Sequence, residues 1–106
     1  MFRIIMSTMM QTELIAGLKR LKPQLEAEGV QHLALFGSRA RGDNRPDSDI
    51  DLLVEANDGS RFSILNLIGV EHLVSDTLGI KANAAMRRSL QDSLRASIEP
   101  DILEIF

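Results

Sequence analysis

Leu14, Leu18, Leu21 and Leu25 recur at three- and four-residue spacing between Thr12 and Glu28, which predicts a helix with one apolar stripe, capped at Thr12 and ended by Gly29. Pro23 falls inside that stretch. Its ring lacks an N–H and crowds the preceding turn, so the helix is expected to kink or restart there. From Val30 to Phe36 the pattern changes to a short run ending in Leu33-Ala34-Leu35-Phe36, which predicts a buried strand that stops at glycine. Gly37 to Gly42 then reads as a turn opening a short helical stretch, and Asp43 to Ser48, all polar or turn-forming, as a loop. Between Asp49 and Glu55 the aliphatics Ile50, Leu52 and Val54 alternate with Asp49 and Asp51, the two-residue period of a strand.

The second half of the chain repeats the alternation of types. Ala56 to Ser60 carries an Asn57-Asp58-Gly59 turn, and Arg61 to Leu78 reads as a helix with Ile64, Leu67, Ile68, Leu73, Val74 and Leu78 inward and Gly79 at its end. Leu65 and Val70 fall off that stripe and are expected at the surface, where they would offer a partner a contact. Ile80 to Met86 is a third strand, weakened by its alanines; Arg87 to Ile98 is a helix; Ile102 to Phe106 is an apolar tail that packs back on the domain. The order helix, strand, strand, helix, strand, helix predicts an α/β (α+β) fold, a small mixed β-sheet flanked by helices.

Composition narrows the function more than the fold. With 106 residues the chain has room for one domain, residues 1–106, and its 44% hydrophobic content suffices for one core. Twelve basic and 15 acidic residues leave a net charge of −3, so no global positive field recruits nucleic acid and direct nucleic-acid binding is disfavoured. Arg87, Arg88 and Arg95 read as a solvated face, and His32 and His72 lack metal-spaced partners. There is no cysteine, hence no disulfide or thiol chemistry. No run reaches transmembrane length, and Met1 to Met6 is too short for a signal segment, so no membrane role and a cytoplasmic location are expected. Met1, Met6, Met9 and Met10 each offer a translation start. A domain this small also commonly associates, so a homo-oligomer is compatible with it.

The candidate chemistry lies where the first strand meets its turn and the second begins. A glycine turn after a buried strand frees backbone N–H groups that suit an anion, and Gly37 lets phosphate approach the backbone. Ser38 adds a hydroxyl, and Arg39 and Arg41 are candidates to neutralise phosphate. Asp49 and Asp51, roughly 6.6 Å apart along one strand face, can converge on one or two Mg²⁺ ions that bridge a nucleotide's phosphates. Gly42 serves the turn itself.

The segment GSRARGDNRPDSDIDLLVE, residues 37–55, closely resembles the hallmark of the minimal nucleotidyltransferases, single-domain relatives of the DNA polymerase beta superfamily, in which Gly-Ser is followed by Asp-x-Asp. The resemblance implies a mixed sheet flanked by helices, and transfer of a nucleoside monophosphate, AMP from ATP, to a hydroxyl with two Mg²⁺ ions. It also implies a partner, since many such proteins are antitoxins of a HEPN-domain ribonuclease and some adenylylate a toxin tyrosine. Full members carry a third carboxylate on the strand after the long helix, and here Asn83 aligns with that position. An amide cannot take a proton from the attacking hydroxyl, and its neutrality weakens the metal site. A binding antitoxin without turnover is therefore the alternative expectation. Transfer to a small molecule is a third, disfavoured by a chain too short for a second substrate pocket.

Overall fold

The computed structural model describes residues 9–57, 59 and 61–106; Met1, Met6 and Asp58 of the expected turn lie outside the described residues. Two helices, α1 (Gln11–Arg20) and α2 (Lys22–Glu28), stand where one was expected, and they meet at buried Leu21. Pro23 is in the first turn of α2, where its missing N–H costs nothing, so the chain restarts there and keeps its leucine stripe facing one way. Helix α1 starts before Thr12. Met10 precedes it, with its N–H donating to Glu13 Oε1 at 3.3 Å, so a carboxylate three residues on satisfies the helix end without a capping hydroxyl. Gly29, at φ 111°, ends α2.

Strand β1 (Val30–Phe36) leads into a one-turn helix α3 (Ser38–Arg41), and β2 (Ile50–Ala56) follows the polar loop. Helix α4 (Ile64–Leu78) is entered through Ser63, whose N–H donates to Asn66 Oδ1 at 3.0 Å, and ends at left-handed Gly79. Strand β3 (Ala82–Met86) follows, then a 3₁₀ turn at Arg87–Ser89, helix α5 (Asp92–Ile98), a second 3₁₀ turn at Glu99–Asp101, and the two-residue strand β4 (Leu103–Glu104). The single helix expected from Arg87 to Ile98 is thus broken, because Leu90 and Gln91 are both extended. Arg87 is ion-paired rather than solvated: its Nη1 donates to Glu104 at 3.0 Å and lies 3.6 Å from Glu55.

The four strands form one mixed sheet in the order β3-β2-β1-β4, with β2 and β3 parallel and β1 antiparallel to both β2 and β4. The C-terminal tail packs back as an edge strand: Ile105 N–H donates to Leu33 O at 2.8 Å, and Leu33 N–H donates to Phe106 O at 3.1 Å. Helices α1, α2 and α4 cover one face, burying Leu14, Leu18, Leu25, Val70 and Val74 against Leu33, Leu35, Ile50, Leu52 and Val54. Each such side chain contributes about 1.5–3 kcal/mol on burial.

Helix α4 corrects one part of the sequence reading. Val70, expected at the surface, is fully buried, whereas Ile64 is 66% exposed; Leu65 is exposed as expected. At about 3.6 residues per turn, Leu67, Val70 and Val74 fall within roughly 60° of one another, and Ile64 lies on the flank of that arc. The alanine-rich β3 owes its place to the same helix. Ala82 N–H donates to Ser75 Oγ at 2.9 Å and Ala84 N–H to Glu71 Oε2 at 2.7 Å, so side chains of α4 satisfy the outer edge of the strand. No helix among the described residues is long and apolar enough to cross a membrane.

Candidate active site

Because β1 runs antiparallel to β2 while β3 runs parallel to it, the end of β1 and the starts of β2 and β3 meet at one end of the sheet. Asp51, the second residue of β2, is paired with Phe36 on one side and Asn83 on the other. Ile50, Leu52 and Val54 face the helices, so alternation turns Asp51 to the opposite face. Asp49 stands just before β2 rather than inside it, on the loop that delivers the strand.

Gly37 follows Phe36 with φ 77° and ψ −159°, a region open almost only to glycine. A Cβ there would lie 2.5 Å from Asp51 Oδ2, so the carboxylate sits directly against the turn. On the other flank, Asn83 Nδ2 donates to Asp49 Oδ2 at 2.9 Å. Burial pushes the Asp51 carboxyl above the usual carboxylate range; the nearby Asn83 amide opposes the rise, the Asp49 charge adds to it, and Arg41 opposes it. The Asn83 amide therefore acts on both carboxylates, with its hydrogen bond on Asp49.

Among the described residues no three His, Cys, Asp or Glu side chains cluster as a metal site. The oxygen donors gathered here are the carboxylates of Asp49 and Asp51, toward which Asn83 presents its amide nitrogen. Mg²⁺ is commonly held by one or two carboxylates with substrate phosphates completing its shell, so this donor set fits the ion when a nucleotide accompanies it.

The other sequence candidates divide. Ser38 opens α3 beside Gly37, whose carbonyl accepts from the N–H groups of Ala40 and Arg41 at 3.1 Å. Arg39 is put to a different use from the phosphate contact expected of it. It is 2% exposed, its Nε donates to Ser48 O at 2.9 Å and its Nη2 to Pro46 O at 3.3 Å, so it clamps the loop that carries Asp49. Burial lowers the Arg39 pKa, with Asp49 pulling it back up. Arg41 is exposed; Nε donates to Asp43 Oδ2 at 3.1 Å and Nη1 lies 3.6 Å from Asp101, and these acids raise its pKa, Asp43 more strongly. Gly42, at φ 83°, closes α3.

Sequence reasoning missed Gln11, whose Nε2 donates to Ala40 O at 2.6 Å and ties α1 to the turn. A lone glutamine near a helix start carries no signal that would single it out. A cleft of about 210 Å³ lined by Pro46, Asp47, Asp49, Gly79, Ile80 and Lys81 opens beside Asp49. A larger hollow of about 610 Å³, lined by Gln31, His32, Glu55, Ala56 and Asn57, lies at the far end of β1 and β2, away from both carboxylates.

A glycine turn packed against a carboxylate and a second carboxylate at one end of a small mixed sheet fit one class of protein, those that move nucleotidyl groups. The family described as "Nucleotidyltransferase domain" matches residues 14–105, and the chain belongs to that family of transferases. Among similar proteins, the candidate protein adenylyltransferase MJ1217 of Methanocaldococcus jannaschii is 36% identical over 88 residues, 82% of this chain and 88% of its own. A solved structure described as a candidate minimal nucleotidyltransferase superposes with a TM-score of 0.75 at 27% identity, covering 91% of this chain and 96% of that one. The fold also matches, at a TM-score of 0.62 and 17% identity over 92% of this chain and 72% of the other, a complex of tri-AMPylated Shewanella oneidensis HEPN toxin with MNT antitoxin.

Proposed function

We propose that the chain, acting as a single cytoplasmic domain, is a Mg²⁺-dependent nucleotidyltransferase. It moves AMP from ATP onto a hydroxyl of a HEPN-type toxin, and so acts as that toxin's antitoxin. The observation that carries this reading is that Asp51 sits against a Gly37 turn that leaves no room for a side chain, with Asp49 brought to the same end of the sheet beside Asn83. Asp49 and Asp51 would hold Mg²⁺ there, and the ion would supply charge neutralisation to a triphosphate.

The chain's own residues do the rest. Asp49 and Asp51 hold the cation; Gly37 admits the phosphates to the backbone, and Ser38 supplies a hydroxyl and an N–H to them. Exposed Arg41 meets the departing pyrophosphate at the rim, while Arg39 keeps the Asp49 loop in place from beneath. The complexed HEPN toxin among the structural neighbours carries AMP, which supports both the donor and the acceptor class.

A second reading is favoured by Asn83. With an amide where a third carboxylate would take the acceptor's proton, the chain would bind nucleotide and toxin and neutralise by contact alone. One experiment separates the two: intact-mass spectrometry of a HEPN-type partner protein, after incubation with the chain, Mg²⁺ and ATP. Gain of AMP units that is lost with Asp49→Asn, Asp51→Asn establishes the transferase. A stable complex without added mass establishes the binder.

A further inference from the structure

We infer that this site takes one divalent cation, arriving with the nucleotide, and that Asn83 is the residue that sets the number. The inference rests on the nucleotidyltransferase reading and departs from the pair of ions that the family resemblance implies. Two divalent ions in one site stand about 3.5–4 Å apart and repel, so carboxylates must bridge and flank them. Here only Asp49 and Asp51 converge, and no third acid joins them among the described residues. Asp43 and Asp101 are drawn to Arg41, at 3.1 and 3.6 Å.

Asn83 also takes up one lone pair of Asp49 Oδ2. A carboxylate can only accept, so the nitrogen of the Asn83 amide faces Asp49 Oδ2 and the amide oxygen is turned elsewhere. Register keeps it there. Asn83 lies opposite Asp51 on the parallel strand, and Ser75 and Glu71 hold the residues on either side of it, Ala82 and Ala84, by their N–H groups. The amide N–H thus sets a partial positive charge against Asp49, where a second cation would otherwise neutralise it. What remains open is the set of oxygens between Asp49 and Asp51, enough for one ion completed by phosphate oxygens.

The test counts ions rather than turnover. Mn²⁺ bound per chain is measured by electron paramagnetic resonance at saturating concentration of an ATP analogue that cannot be cleaved between its α and β phosphates. One magnetically isolated Mn²⁺ is expected for the native chain, and a spin-coupled pair for Asn83→Asp. A coupled pair in the native chain, which needs no variant to fold, overturns the inference and leaves the transferase reading standing. A single ion in folded Asn83→Asp overturns Asn83 as its cause. If neither the analogue nor Mn²⁺ binds, the nucleotidyltransferase reading itself fails and this inference with it.

Discussion

The carboxylate of Asp51 fills the space that a side chain on residue 37 would need, with Oδ2 lying 2.5 Å from where a Cβ on Gly37 would stand. A turn residue and a strand residue fourteen positions apart in sequence therefore specify each other. The turn keeps its path only because glycine leaves the carboxylate its place, and the carboxylate reaches the turn only because β1 and β2 pair Phe36 with Asp51.

Gly37→Ala is expected to strain the backbone and displace Asp51 together. Its φ of 77° and ψ of −159° cost a non-glycine residue about 1–3 kcal/mol, before the clash is counted. Gly42→Ala, with a φ of 83° but nothing within 4 Å, should meet backbone strain alone. Urea unfolding and titration with a nucleotide analogue and Mn²⁺ check both: Gly37→Ala loses stability and binding, Gly42→Ala loses some stability and keeps binding.

Asp51 makes the metal-free chain sensitive to pH. Its carboxyl is raised in the folded state, mainly by burial, so the fold holds this proton more tightly than the unfolded chain does. Linkage then gives a contribution that is fully favourable below the unfolded value of about 3.9 and is lost as pH rises through the folded one. In a chelator, Asp51→Asn should melt above the native chain at pH 7, with the gap closing in acid. Melting temperatures recorded across that range decide the matter, and an equal gap at all pH values would contradict it.

Removal of the buried Arg39 guanidinium leaves the carbonyls of Pro46 and Ser48 without their donors. Arg39→Met is expected to cost about 0.5–1.5 kcal/mol for each hydrogen bond lost, because Pro46 is exposed and Ser48 half-buried, so water takes up part of the loss. Arg39→Lys should recover little, because an ammonium cannot reproduce the planar fork that reaches two carbonyls. Chemical denaturation measures the loss. Recovery of full stability by lysine would show that charge, rather than the fork, holds the loop.

The edge of β3 depends on α4. With Glu71→Leu the outward N–H of Ala84 loses its acceptor at 2.7 Å, and the strand should loosen by about 1–3 kcal/mol. Hydrogen exchange at Ala84 is expected to speed up while exchange at Leu33 and Leu35 in the sheet centre stays slow. Unchanged protection at Ala84 would mean that the carboxylate does not hold the strand.

Much of this molecule was legible in local pattern. Strand β1 has the bounds its apolar run predicts, Val30 to Phe36, and α4 ends at the glycine that punctuates it. A break at Pro23 followed from one missing N–H, and the turn-then-acids order at Gly37, Asp49 and Asp51 was readable because motif chemistry is carried by neighbours in sequence. These features rest on steric and periodic rules that act within a few residues.

What only the tertiary structure decided involves partners distant in the chain. Arg39 looked like a free cation in a polar turn and is instead buried, because the loop folds its own carbonyls over it. Val70 fell off the stripe read in sequence, but the arc of α4 that is buried is set by where the sheet lies. Asn83 stands in a strand that its alanines barely specify, and its register comes from Ser75 and Glu71 on a helix. Sequence by itself determined which residues are candidates for the chemistry and the order of the elements that hold them. Packing determined which of those residues meet, since a side chain's neighbours across a sheet depend on strand pairing that no local pattern encodes.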